Sequence, residues 1–186
     1  GQVVLVRKFN GSETADTYYV YNEYNQLAFV ISPLAVEKGT LTQDDLDRLC
    51  YQYRYDSKGR LVEKKLPAKG WEYMVYDKLD RLTMSQDAGH RAKKEWLFTG
   101  YDRFGRVAYT GIATGESRAA EQANLNLTLS NHVERSSNAG FSQNSMKVYC
   151  NPASSGEASY PKSIKKLLSV NYYDEYPPDA PAAPAG

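Results

Sequence analysis

Four segments of the chain align without gaps: Tyr19-Val-Tyr-Asn-Glu-Tyr-Asn-Gln-Leu27, Tyr53-Arg-Tyr-Asp-Ser-Lys-Gly-Arg-Leu61, Met74-Val-Tyr-Asp-Lys-Leu-Asp-Arg-Leu82 and Thr99-Gly-Tyr-Asp-Arg-Phe-Gly-Arg-Val107. A recurring unit constrains the fold strongly, because one small supersecondary element buries its apolar face only by stacking on its neighbours. A fifth, degraded copy begins at Tyr172-Tyr173-Asp174 and runs into Pro177-Pro178, which cannot donate to a sheet ladder. It reads as a terminal half-unit.

Each copy reads as a β-hairpin. Asn22, Asp56, Asp77 and Asp102 hold the first turn position, where a short side chain accepts backbone N–H bonds. Three residues later stand Asn25, Gly59, Asp80 and Gly105, the residue types that tolerate positive φ. The pattern predicts a type I turn followed by a left-handed residue in a G1 bulge. That geometry sets cross-strand pairs Asn22–Gln26, Asp56–Arg60, Asp77–Arg81 and Asp102–Arg106. On the opposite face of the pleat, Tyr21, Tyr55, Tyr76 and Tyr101 then meet Leu27, Leu61, Leu82 and Val107. A repeated Asp–Arg pair has the ingredients of an anion, metal or catalytic site. Here each carboxylate has its own guanidinium and its own turn N–H groups, so the reading is structural: these eight residues shape turns. An exposed pair of this kind contributes only ~0.2–1 kcal/mol and sets register more than it holds a sheet.

Composition agrees with strands: 16 Tyr stand beside 5 Phe and 2 Trp, and tyrosine suits a pleated surface where the ring packs and the hydroxyl reaches a partner. The tyrosine rows, Tyr53, Tyr55, Tyr76 and Tyr101 among them, are read as packing residues, with sugar stacking the alternative use. With 23 Lys+Arg against 22 Asp+Glu, no summed field recruits nucleic acid or an anionic membrane. No run approaches the ~18 apolar residues of a membrane span, and no signal-peptide pattern opens this segment. The fold expected is mainly β, a curved antiparallel sheet of consecutive hairpins with one or two short insertion helices.

The run Tyr-x-Tyr-Asp-x-x-Gly-Arg-Leu resembles the signature of the YD-repeat, or Rhs (rearrangement hot spot), family, which includes bacterial Rhs and wall-associated proteins, shell proteins of insecticidal toxin complexes, and teneurins. Gln2-Val-Val-Leu with Thr17 to Tyr21, Tyr51 to Pro67, Val75 to Leu82, Glu95 to Val107 and Val170 to Asp174 are similar to consecutive parts of bacterial surface members. The resemblance implies hairpins stacked into a long sheet that spirals into a hollow shell around a toxic C-terminal domain. It implies an extracellular or cell-surface location, with neighbouring repeats of the same parent protein and an encapsulated C-terminal domain as partners. The chain lacks the long array, the self-cleaving core and a toxin domain, and so is expected to be an excised segment. Asn25 and Asp80 replace glycine, and Met74 and Thr99 replace the first tyrosine; these departures keep the turn chemistry and weaken an aromatic ladder.

Along the chain, hairpin units are expected near 17–33, 50–67, 70–87 and 95–112, with a partial unit at 165–176 in a sheet segment spanning 1–176, and a Pro/Ala-rich linker over 177–186. Residues 2–9 alternate as a strand. Thr42 and Asp45 form a capping box that opens a short packing helix, with Leu41 placed to staple onto Leu46. Residues 115–135 read as helical, although Leu125, Leu127 and Leu129 alternate with period two. Residues 136–147 read as loop, and 148–150 and 165–173 as strands.

No nucleophile elbow, phosphate loop, calcium loop or paired His/Cys spacing occurs, so no enzyme, metal or cofactor is expected. His90 reads as a solvated connector residue, and Cys50 and Cys150 as reduced, separately packed thiols. Two readings stand: a structural shell segment, or a carbohydrate-binding surface module using uncovered tyrosines. An unpaired sheet edge, with Val3 to Phe9 the most apolar candidate, is expected to support weak dimers.

Overall fold

The computed structural model describes residues 1–128, 131–138, 140–143, 145–151, 160–161 and 163–181. It is mainly β: ten strands form one antiparallel sheet, the first nine in chain order and then the last, without closing into a barrel. The chain divides into two compact units, Gly1–Met74 and Val75–Gly186.

The first unit begins with β1 (Leu5–Asn10) and β2 (Glu13–Tyr21), joined at Gly11 with φ 63° and paired with Leu5 opposite Tyr18 and Phe9 opposite Thr14. β3 (Leu27–Ile31) returns along β2 with Tyr19 opposite Val30, and a bulge at Val20/Tyr21 leads into the turn. β4 (Cys50–Tyr55) lies beside β3 with Ile31 opposite Cys50, and β5 (Leu61–Lys65) beside β4 with Tyr53 opposite Lys64 and Tyr55 opposite Leu61. The start of β6 (Glu72–Tyr76) adds Tyr73 opposite Glu63.

The connection from β3 to β4 carries two helices. In α2 (Gln43–Leu49) the Thr42 hydroxyl accepts from the Asp45 N–H at 3.2 Å while the Asp45 carboxylate accepts from the Thr42 N–H at 3.1 Å, which satisfies two of the donors a helix start leaves open. α1 (Pro33–Glu37) was not expected from the sequence; Ser32 caps it and Pro33 supplies a first-turn residue whose missing N–H costs nothing there. The helices cover one pleat face. The Gln52 amide donates to the Leu46 carbonyl at 3.1 Å and to Asp47 at 3.0 Å, Lys65 pairs with Asp47 at 2.6 Å, and Ala35 and Cys50 are fully buried.

In the second unit β7 (Leu82–Gln86), β8 (Glu95–Tyr101) and β9 (Val107–Thr114) continue the meander, with Met84 opposite Phe98, Trp96 opposite Ala113 and Phe98 opposite Gly111. Met84, Trp96, Phe98 and Tyr109 are buried with Leu125, and the Phe98 and Tyr109 rings meet edge to face at 5.7 Å and 77°. Gly111 sits where β14 (Ile164–Val170) crosses: a Cβ there would stand 2.4 Å from the Lys166 carbonyl oxygen, so only glycine permits this approach.

Between β9 and β14 the chain leaves the sheet. α4 (Arg118–Leu127), capped by Ser117, buries Leu125, and its Gln122 side chain accepts from the Tyr76 N–H at 3.1 Å and donates to the Tyr76 carbonyl at 2.7 Å. Short strands follow: β10 (Glu134–Arg135) pairs with β13 (Cys150–Asn151), and β11 (Phe141–Gln143) with β12 (Met146–Val148).

Several expectations need correction. There are four helices among the described residues, not one or two, because α1 and α3 (Ala88–Ala92) are single turns too short to show a periodicity. His90 lies in the β7–β8 connector as expected, and that connector is the short helix α3, capped by Asp87. The 136–147 stretch contains β11 and part of β12, pieces of two or three residues below the length at which alternation is readable. The first strand begins at Leu5 rather than Gln2, and the last ends at Val170, before Asn171. Leu129 and residues 182–186 of the expected linker lie outside the described residues.

Candidate functional site

The chemistry of this chain concentrates at its turns. In the second repeat one Asp56 oxygen accepts from the Lys58 N–H at 2.9 Å and the Arg60 N–H at 3.0 Å, and the other accepts from Arg60 Nε at 2.8 Å. The third repeat has the same network, Asp77 accepting from Leu79 N–H at 2.9 Å, Arg81 N–H at 2.9 Å and Arg81 Nε at 2.7 Å. So does the fourth, through Phe104 N–H at 2.9 Å, Arg106 N–H at 2.8 Å and Arg106 Nε at 2.6 Å. In the first repeat Asn22 accepts from the Tyr24 and Gln26 N–H groups at 3.0 and 2.9 Å, and its amide donates to the Gln26 side-chain oxygen at 2.9 Å. Asn25, Gly59, Asp80 and Gly105 have φ of 61°, 78°, 59° and 82°. In each turn the N–H of that residue bonds back to the carbonyl of the Asn or Asp that opens it, at 2.9–3.1 Å.

Burial pushes the Asp56 and Asp102 carboxyls up, but the facing Arg60 and Arg106 guanidiniums and the turn N–H groups outweigh it and hold both below the ordinary aspartate value. Each carboxylate is thus saturated by its own hairpin.

The tyrosines before the first, second and fourth turns, and the equivalent tyrosine of the half-unit, reach out of their own hairpins. Tyr55 Oη donates to the Leu27 carbonyl at 3.0 Å, Tyr101 Oη to the Leu82 carbonyl at 2.8 Å, and Tyr173 Oη to the Val107 carbonyl at 3.0 Å. Donor and acceptor occupy the same positions each time: the third residue of one unit and the ninth of the unit before. Tyr21, of the first repeat, donates to the Val3 carbonyl at 3.0 Å. The turn arginine of one unit stacks on the tyrosine of the next, Arg81 lying 4.6 Å from the Tyr101 ring centroid and Arg106 4.3 Å from that of Tyr173.

The half-unit therefore takes part in the ladder without forming a hairpin. Asp174, at φ 71°, accepts from Arg106 at 3.1 Å, and Arg135 donates to the Tyr173 and Tyr176 carbonyls at 2.9 and 2.7 Å. Arg135 carried no sequence signal, since nothing in its spacing links it to the repeat.

Tyr53, Tyr55, Tyr76 and Tyr101 are all half-buried. Burial is the leading reason that the phenols of Tyr53, Tyr55 and Tyr101 are shifted up. No group of three or more His, Cys, Asp or Glu side chains is arranged to hold a metal among the described residues. His90 Nδ1 lies 2.9 Å from Asp87, and His132 Nε2 lies 3.2 Å from Glu134. Cys50 and Cys150 are free, buried thiols, and burial raises both. A buried pair that sequence reading missed joins Tyr160 to Glu121: the phenol donates to the carboxylate, and burial together with that negative neighbour drives the Tyr160 hydroxyl far above its ordinary value.

No family model and no curated protein sequence matches the chain. Among solved structures it is similar to a chain of the Photorhabdus luminescens Tc holotoxin pore in a TccC3 variant, at 17% identity and a TM-score of 0.43 over 61% of this chain and 6% of that one. It is also similar to a chain in the crystal structure of TcdB2-TccC3-TEV, at 16% identity and a TM-score of 0.46 over 68% of this chain and 7% of the other. The chain spans less than a tenth of the length of either.

Proposed function

We propose that this chain is a non-catalytic structural segment of an Rhs-type shell or scaffold in a secreted or surface, toxin-delivering protein. The observation that carries the reading is the tyrosine ladder. A repeat whose defining tyrosine bonds the preceding repeat, and whose defining Asp and Arg close their own turn, commits its polar chemistry to stacking hairpins. The YD-repeat resemblance of the same residues supports an extracellular setting, with neighbouring repeats as the principal partners.

The test is native-state hydrogen exchange on the purified chain and on Tyr55→Phe and Tyr101→Phe, alongside a glycan array. The structural reading expects faster exchange at β3–β4 in the first variant and at β7–β8 in the second, and no saturable sugar binding. Saturable binding of a glycan that is lost on Tyr53→Ala would replace this reading with a carbohydrate-binding module.

A further inference from the structure

β14 ends the strand order, with β9 as its one strand partner among the described residues. Among the described residues, the hydrogen bonds on its other edge come from one side chain. Gln143 Nε2 donates to the Lys165 carbonyl at 3.0 Å, and Gln143 Oε1 accepts from the Leu167 N–H at 2.6 Å. One amide thereby satisfies the carbonyl and N–H of alternate residues, the pair of bonds that a residue of an added strand would make. Gln122 treats the Tyr76 backbone in a similar way, but from a helix anchored by buried Leu125. Gln143 stands instead at the end of β11, on a hairpin paired over three residues.

Beside that amide runs a groove of about 280 Å³ along Leu167, Leu168 and Val170, walled by Met146, Val148 and Tyr172. Leu168 is 53% and Met146 65% exposed. Among the described residues, Lys147 is the charged residue that lines the groove, and Lys166, next to Leu167, is exposed on β14, whereas Lys165 is already paired with Glu95 at 2.6 Å. A strand edge, an apolar trough and a cationic rim are the three features that an extended peptide needs for backbone pairing, side-chain pockets and orientation. The like charge of Arg7 and Lys8 on β1 disfavours a second copy of this chain seating its own first strand here.

We propose that the outer edge of β14 receives an extended peptide strand with alternating apolar and acidic side chains, which displaces the Gln143 amide and continues the sheet. The displacement needs only a side-chain rotation, and each bond released from Gln143 is remade by the incoming backbone.

The experiment titrates the full chain with a fluorescein-labelled hexapeptide of alternating Glu and Val, read by anisotropy. Saturable binding is expected, tightened by about threefold or more in Gln143→Ala, because the competing amide is gone. It is expected to weaken by about fivefold or more in the double variant Lys147→Glu, Lys166→Glu, which should favour a Lys-Val hexapeptide instead. Two further peptides, N-methylated on one or the other alternate set of residues, leave the protein untouched. One set should abolish binding and the other should not, because a strand offers alternate N–H groups to an edge. Equal binding of both methylated peptides would overturn the proposal. So would the absence of saturation at millimolar peptide with both forms of residue 143, or dimerisation of Gln143→Ala that excludes the peptide.

Discussion

The Tyr55 hydroxyl donates to the Leu27 carbonyl at 3.0 Å across 28 residues of sequence. Tyr101 repeats this with Leu82, and Tyr173 with Val107. Each bond ties a tyrosine to the residue that closes the preceding hairpin, so the ladder couples successive units that are well separated in sequence.

Removing one rung should cost about 0.5–1.5 kcal/mol, the usual net contribution of an intramolecular hydrogen bond. Tyr101→Phe keeps the ring under Arg81 and loses only the hydroxyl, so its urea midpoint should fall modestly. Tyr101→Ala should fall much further, since it also removes the stacked ring. Equal midpoints for the wild type and Tyr101→Phe would show that the rung contributes nothing.

Gly105→Val isolates backbone strain. A Cβ at Gly105 meets nothing within 4 Å, and φ is 82°, so the whole cost, ~1–3 kcal/mol, comes from forcing a β-branched residue into left-handed backbone. Gly59→Val should cost no less, because its Cβ would also stand 3.1 Å from the Gln26 side chain. Chemical denaturation of the two variants checks both values, and Gly105→Asn should recover most of the loss, as Asn25 already does at the equivalent position.

Acid should loosen the turns. The Asp56 and Asp102 carboxyls are held below their ordinary value in the folded chain. Their contribution is therefore present above the unfolded aspartate value of about 3.9 and is lost as pH falls through the lower folded values. The urea midpoint should drop on acidification below about pH 4. Asp102→Asn should lower the midpoint at pH 7, where Arg106 loses one of its two ionic partners and keeps Asp174, and should flatten the acid-side decline. Asn22 and Gln26 form the neutral version of the same contact.

Among the described residues the first strand is an open edge, with β2 as its one strand partner. Val3 and Val4, just before it, and Phe9 within it are 56%, 61% and 74% exposed. An apolar edge of this kind favours strand pairing between copies. Sedimentation should show weak, concentration-dependent association that the double variant Val4→Lys, Phe9→Lys abolishes.

Local chemistry made the hairpins legible. An Asn or Asp followed three residues later by Gly, Asn or Asp implies both the turn and the pairing of Tyr55 with Leu61 and Tyr101 with Val107, because those constraints act within nine residues. The capping box at Thr42 and Asp45 was legible for the same reason. The destination of the tyrosine hydroxyls was not. A hydroxyl's partner depends on the stagger between successive hairpins, and that stagger is set by how their apolar faces pack. The clamp of Arg135 on Tyr173 and Tyr176, the Glu121–Tyr160 pair and the seat of Gln143 on β14 likewise join residues whose spacing carries no period. Turn sequence determined each hairpin in isolation, whereas the bonds between hairpins and the cover on the last strand arose only in tertiary packing, where side chains far apart in the chain first come within reach.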